Sequence, residues 1–177
     1  PGRMTAVQLV VVGGGPGGYA AAFLGADLGL SVALVDPEAN PGGVCVYRGC
    51  IPSKALLHVA KVIDESRHAK AWGVEFGEPK VDLAKLREFK NGIVKRLTGG
   101  TGQLAKVRKV QYVQGLAEII DGHRLRVKPT PGGIDGTDVD IQFEHAILAT
   151  GSRPAIPAAL KIDDPRVMDS TAALDLP

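Results

Sequence analysis

The sequence predicts an α/β fold, a doubly wound parallel sheet with a small antiparallel β-meander. Three observations predict it. Residues 6–12 are an almost unbroken apolar, β-branched run, the pattern of a parallel strand buried on both faces. The run leads straight into Gly13-Gly14-Gly15-Pro16-Gly17-Gly18 and then into the helix-forming Tyr19-Ala20-Ala21-Ala22-Phe23-Leu24. A second apolar strand, residues 31–35, ends at Asp36.

Gly13, Gly15 and Gly18 fit G-x-G-x-x-G between a strand and a helix, the Rossmann-like arrangement. Its glycines allow a tight turn, bring a pyrophosphate close to the backbone, and let helix and strand pack closely. The helix N-terminus faces the phosphate charge. Gly13, Gly15, Pro16 and Gly18 are therefore candidate cofactor contacts. Asp36, at the end of the second strand, is placed to accept hydrogen bonds from an adenosine ribose. This motif alone does not distinguish NAD from FAD.

The two cysteines of the chain, Cys45 and Cys50, lie in Gly42-Gly43-Val44-Cys45-Val46-Tyr47-Arg48-Gly49-Cys50-Ile51-Pro52-Ser53-Lys54. Residues five apart on an ideal helix are separated by a rise of about 7.5 Å. A disulfide needs Cα atoms within roughly 4.4–6.8 Å, so a dithiol here requires a bend, for which Gly49 is best suited. Pro52 suits the first turn of a helix, and Ile51, Leu56, Val59 and Ile63 are spaced for one buried face. Cys50 then sits at a helix N-terminus, where the thiolate is favoured. Lys54 lies one turn further on, within reach of the same site. An inert buried pair is the alternative; a zinc site would need four ligands, and none of the four histidines stands at ligand spacing from the pair. A redox dithiol needs an electron acceptor. A flavin accepts electrons from a thiolate and exchanges hydride with a nicotinamide, so the cysteines favour FAD.

The helix after Lys54 is expected to run to about residue 71, followed by a Gly- and Pro-containing turn over 73–79. Asp82 is placed to cap a second long helix with a stripe at Leu83, Leu86, Phe89 or Lys90, Ile93 and Leu97, serving the core or a subunit interface. Thr98-Gly99-Gly100-Thr101-Gly102 is expected to weaken that helix. A third strand is expected at 110–114 and short antiparallel strands within 115–127 and 139–143, on either side of Pro129-Thr130-Pro131-Gly132-Gly133. Residues 146–149 read as a last parallel strand leading to Thr150-Gly151-Ser152-Arg153-Pro154, which places a hydroxyl and an unhindered backbone at the ligand-binding edge of the sheet. Beyond Pro154 the periodicity is lost.

The 177 residues are 45% hydrophobic with a formal charge of +2, which suits an ordinary core and indicates no nucleic-acid partner. The densest basic run, Lys106, Arg108 and Lys109, reads as a solvated helix end. No run approaches the ~20 apolar residues of a membrane span. Pro1-Gly2-Arg3 reads as the remnant of a tag. With no secretory signal, a cytoplasmic setting is expected, and there a cysteine pair serves redox chemistry more readily than stapling.

The redox segment resembles the signature of the pyridine nucleotide-disulfide oxidoreductases. Its Ile51-Pro52-Ser53-Lys54 ending is most similar to the dihydrolipoamide dehydrogenases among them; glutathione and mercuric reductases resemble it less. Val46-Tyr47-Arg48 departs from the small or polar residues usual there, and Asp36 stands where the family usually has Glu. The resemblance implies that the first dinucleotide motif holds FAD and that Thr150 and Gly151 form a second FAD contact. Ala117 falls where a backbone contact to the adenine is expected, and Gly43 and Lys54 are counted with the cofactor site. It also implies that Cys45 is the interchange thiol and Cys50 the thiol against the flavin. Residues 4–153 would be the FAD-binding segment and 154–177 a connector toward an absent NAD domain. The full enzyme would be a homodimer oxidising the lipoyl arm of a 2-oxo acid dehydrogenase acyltransferase or of the glycine cleavage carrier, with NAD as acceptor. A non-catalytic nucleotide-binding module is the reading from a different class.

Overall fold

The computed structural model describes residues 3–131 and 136–176. Pro1 and Gly2 of the expected tag remnant, Gly132 and Gly133 of the proline-glycine turn, and the connector's last residue, Pro177, lie outside the described residues. The chain divides into two compact units. One is the segment ending at Cys45 together with Leu97–Ser152; the other is Val46–Arg96 with the segment from Arg153 onward.

The first unit is built on strand β1 (Arg3–Val12), helix α1 (Pro16–Asp27) and strand β2 (Val32–Asp36). Strands β3 (Gln111–Gln114), β4 (Leu116–Asp121), β5 (Arg124–Lys128) and β6 (Val139–Leu148) complete a six-stranded sheet of order β3-β2-β1-β6-β5-β4. β3, β2, β1 and β6 are parallel, whereas β5 runs antiparallel to β6 and β4 antiparallel to β5.

The expected meander is therefore an extension of the main sheet. The separate strand expected at 146–149 is corrected as well: residues 146–148 are the end of one ten-residue strand, β6, and Ala149 lies just beyond it. Along one edge β6 pairs with β1 from Val139 to Leu148; along the other, Val139 to Gln142 pair with β5. β1 is also longer than the apolar run suggested. Both Gln8 and Leu9 direct their N–H to the Ser31 carbonyl, at 3.1 and 3.0 Å. The side chains change face around Gln8, so that Val7 and Val10 join one core with Leu125, Val127 and Ile141, while Leu9 and Val11 join another with Ala22, Leu34 and Ala105.

Ion pairs link neighbouring strands of the meander. Lys128 lies 2.6 Å from Glu118, and Arg126 donates to both oxygens of Asp140 at 2.7 and 3.0 Å. Hydrogen bonds from these cations hold both carboxyls below their ordinary range.

In the second unit, helix α3 (Cys50–His68) presents the expected face: Pro52 and Ala55 are buried, and Ile51, Leu56, Val59 and Ile63 are half-buried. A 3₁₀ turn, Ala69–Trp72, follows. Asp82 caps the next long helix, its Oδ1 accepting from Lys85 N at 3.1 Å. On the expected stripe, Leu86 and Ile93 are half-buried, but Leu83, Phe89 and Leu97 are exposed and Lys90 points inward, only 4% exposed. Its ammonium donates to the Leu174 carbonyl at 2.7 Å and lies 3.7 Å from the Asp175 carboxylate. The expected connector is thus not wholly irregular. It contains a short 3₁₀ turn, Ala158–Leu160, and helix α5 (Ser170–Asp175), capped by Asp169 through Ala172 N at 2.9 Å.

The Thr-Gly-rich stretch does not interrupt the long helix. That helix, α4, runs unbroken over Leu83–Val107, with α2 (Gly43–Arg48) preceding α3 in chain order. Packing overrides propensity here: within the first unit Thr98, Gly102 and Ala105 are buried along one side of the helix. Gly99 and Gly100 are exposed, and among the described residues no heavy atom comes within 4 Å of an added methyl at either. Gly99→Ala and Gly100→Ala should therefore each raise unfolding free energy by about 0.5–1 kcal/mol in urea titrations. A loss of stability would show that α4 is not continuous through this stretch.

Candidate functional site: a glycine cradle and a cysteine-bearing segment

The cradle forms at the C-terminal end of β1, where the chain passes to β2 on one side and later to β6 on the other. This is a topological switch point, the position at which open α/β sheets bind ligands. Gly13 N donates to the Val35 carbonyl and Ala149 N to the Val12 carbonyl, each at 2.8 Å, so the three strand ends meet there. The meeting is backbone on backbone. A Cβ on Gly13 would fall 2.2 Å from the Ala149 carbonyl oxygen and 3.1 Å from Thr150 Cα, and one on Gly18 would fall 1.7 Å from the Gly13 oxygen. Pro16 opens helix α1, whose first turn carries no acidic side chain, leaving its N-terminal N–H groups available to an anion.

Asp36 closes the cradle from β2. It is 8% exposed, and its oxygens accept from Gly14 N at 2.5 Å and Glu38 N at 2.9 Å. The carboxylate therefore organises the glycine loop, a role the motif alone did not reveal. Its backbone carbonyl accepts from Gly115 N at 2.9 Å, bringing the start of the meander to the same strand end. Ala117, two residues further on, is half-buried on β4 opposite Val127. Thr150 and Gly151 are exposed beyond the end of β6, and Gly151 adopts φ +72°.

The segment leading to the first cysteine lies on this cradle. Gly42 N donates to the Gly14 carbonyl at 2.7 Å. Gly43 has φ +58°, and a Cβ there would lie 2.4 Å from Gly15 Cα. Two glycines thus face one another where the segment leading to Cys45 crosses the glycine loop. Cys45, half-buried on α2, ends the first unit.

In the second unit, Gly49 breaks the chain between α2 and α3 with φ −139° and ψ −106°, the bend that the cysteine spacing required. Cys50 is the first residue of α3 and is exposed. Gly49 has no side chain to cap this helix end. Ser53 N donates to the Gly49 carbonyl, and Ser53 Oγ to the Cys50 carbonyl, both at 3.0 Å. Lys54 is exposed one turn along. Of the two unusual residues before Gly49, Arg48 stacks over the Tyr47 ring at 5.8 Å. The structure thus gathers Gly13, Gly15, Pro16, Gly18, Asp36, Gly43 and Thr150 at one end of the sheet and sets Cys50 and Lys54 on the first turns of α3.

A glycine cradle at a switch point, with the entry to a cysteine-bearing segment crossing it, is the arrangement of a dinucleotide-type α/β fold. The family model for pyridine nucleotide-disulphide oxidoreductases matches residues 7–176, and the chain belongs to that family. It is 48% identical over 96% of its length to a dihydrolipoyl dehydrogenase of Haemophilus influenzae. It is 45% identical over 97% to dihydrolipoyl dehydrogenase 2 of Haloarcula marismortui, and 41% identical over 96% to the dihydrolipoyl dehydrogenase of Geobacillus stearothermophilus. The chain spans only 34–36% of the length of these relatives.

The close contacts make the cradle sensitive to single methyl groups. Gly43→Ala, which adds a side chain at positive φ against Gly15, should cost about 1–3 kcal/mol in urea unfolding. Gly17→Ala, which meets no heavy atom within 4 Å among the described residues, should be neutral or stabilising by up to about 1 kcal/mol. Equal effects of the two would show that the contact between Gly43 and Gly15 does not hold the segment.

Proposed function

We propose that this chain is the FAD-binding, redox-dithiol part of a dihydrolipoyl dehydrogenase. The observation that carries the reading is the crossing of Gly43 over Gly15, which seats the entry to the cysteine segment directly on a dinucleotide-type loop. The cradle suits a dinucleotide: its glycines leave the backbone unhindered at the point where a pyrophosphate approaches. Gly13, Gly15, Pro16, Gly18 and Gly43 would hold that group with the N-terminus of α1. Asp36 would accept from the adenosine ribose with the lone pairs left by Gly14 and Glu38. The Ala117 backbone would meet the adenine, Thr150 and Gly151 would line the far side, and Lys54 would carry positive charge toward the flavin.

FAD, when bound, supplies an electron acceptor for the dithiol and a hydride donor for NAD. The chain's own chemistry is thiol-disulfide exchange. In the oxidised form, with Cys45 and Cys50 joined as a disulfide, a substrate thiolate would attack the Cys45 sulfur, forming a mixed disulfide and releasing Cys50 as a thiolate. The second substrate thiol, deprotonated, then attacks the substrate sulfur of that mixed disulfide and releases Cys45. The substrate dithiol becomes a disulfide and the protein disulfide becomes a dithiol, so electrons balance. Cys50, the first residue of α3, is exposed, so its sulfur is open to the exchange.

In this reading the substrate is a dihydrolipoyl group carried by the acyltransferase of a 2-oxo acid dehydrogenase complex or by the glycine cleavage carrier. The full enzyme works as a cytoplasmic homodimer. Among the described residues no helix is long and apolar enough to cross a membrane.

The test is a visible absorption spectrum of the full gene product after loading with FAD, before and after one equivalent of dithiol reductant. The expected result is a retained flavin band that gains a long-wavelength shoulder on reduction. Cys50→Ser should retain the flavin and lose the shoulder, while Cys45→Ser should retain the flavin and show the shoulder without added dithiol. A protein that retains no flavin would overturn the proposal.

A further inference from the structure

Helix α4 contains a threonine that helix formation does not explain. Thr101 lies well inside α4, where alanine would be the better helix former. Its hydroxyl reaches out of the helix and donates to the carbonyl of Pro41, with the Thr98 carbonyl also 2.9 Å away. The Thr98 carbonyl lies inside a helix that supplies its own N–H donors. Pro41 is fully buried in a non-helical loop and depends on outside donors. The next residue, Gly102, is buried, and a Cβ there would lie 2.1 Å from the Asn40 side-chain oxygen. The α4 backbone and the Thr101 hydroxyl therefore meet the loop at consecutive residues, Asn40 and Pro41.

The residues that follow in that loop are Gly42, bonded to the Gly14 carbonyl, and Gly43, crossing Gly15. The loop is thus held on one side by the glycine cradle and on the other by α4, and α2 with Cys45 begins at Gly43. Tyr112 supports the same loop through its hydroxyl, which donates to the Glu38 carbonyl at 2.8 Å. All of these residues lie in the first unit.

We propose that Thr101 is a positioning residue for the redox site: its hydroxyl, by holding the Pro41 carbonyl, fixes the segment carrying Cys45 against the nucleotide cradle. The part concerning FAD rests on the function proposed above, and the part concerning Cys45 does not.

The test uses the full gene product and its Thr101→Ala, Thr101→Val and Thr101→Ser variants. Alanine improves helix propensity and valine preserves the threonine shape, so at least one hydroxyl-free variant is expected to fold. Two quantities are measured: the FAD dissociation constant of the apoprotein, and the iodoacetamide alkylation rates of Cys45 and Cys50 in reduced, flavin-free protein, read by peptide mapping. Loss of the hydroxyl should weaken FAD binding about tenfold and change the ratio of Cys45 to Cys50 alkylation by at least about threefold, with Thr101→Ser restoring both. Wild-type values in the folded Ala or Val variant would overturn the inference, as would equal impairment in Thr101→Ser. If the wild-type protein takes up no FAD, the flavin reading fails and the alkylation ratio alone decides the role of Thr101.

Discussion

The first unit depends on one contact, the approach of backbone to backbone at the end of β1. Gly18 lies against the carbonyl of Gly13, and Gly13 against the carbonyl of Ala149, at separations that leave no room for a Cβ. Because no side chains intervene, helix α1 starts directly over the strand end and the chain leaving β6 passes beside it. The unhindered peptide groups that result are what a phosphate-type ligand needs. The sheet order follows the same constraint, since β1 must have a strand on each side for its end to become a crevice.

The same economy of side chains recurs where other segments join the cradle. Gly43 crosses Gly15, Gly102 leaves room for Asn40, and Gly115 starts the meander against the Lys128 carbonyl. The first two contacts bring distant stretches of chain to the loops after β1 and β2, and Gly115 N reaches the end of β2 through the Asp36 carbonyl at 2.9 Å. Polar groups then fix what the glycines permit: Asp36 on the Gly14 and Glu38 amides, Tyr112 on the Glu38 carbonyl, and Thr101 on the Pro41 carbonyl.

Much of this was legible in the sequence because it is local. The apolar runs of β1 and β2, the glycine spacing, Asp36 and the Asp82 cap are signals carried within a few residues; the structure has strands over both runs, Asp36 at the end of β2 and Asp82 capping α4. The bend at Gly49 followed from the reach of a disulfide compared with the rise of a helix. What could not be read depends on partners distant in sequence. The Thr-Gly stretch reads as a weak point in the helix until Asn40 and Pro41, some sixty residues away, are set against it. β6 looked like two strands because its two edges follow different rules, antiparallel along part of one and parallel along the other. Lys90 looked interchangeable with Phe89 on a helical face, and the Leu174 carbonyl that draws it inward lies 84 residues further along.

The double role of β6 also limits how the unit can vary. Its first residues set the register of the meander that carries Ala117, and its last residue leads to Ala149 and Thr150 beside Gly13. With a side-chain period of two, gaining or losing one residue within the strand would turn every subsequent side chain to the opposite face. It would also displace the Thr150 end relative to the meander. The two walls of the crevice are therefore geared together through one strand. A change of length within β6 itself would move both walls at once.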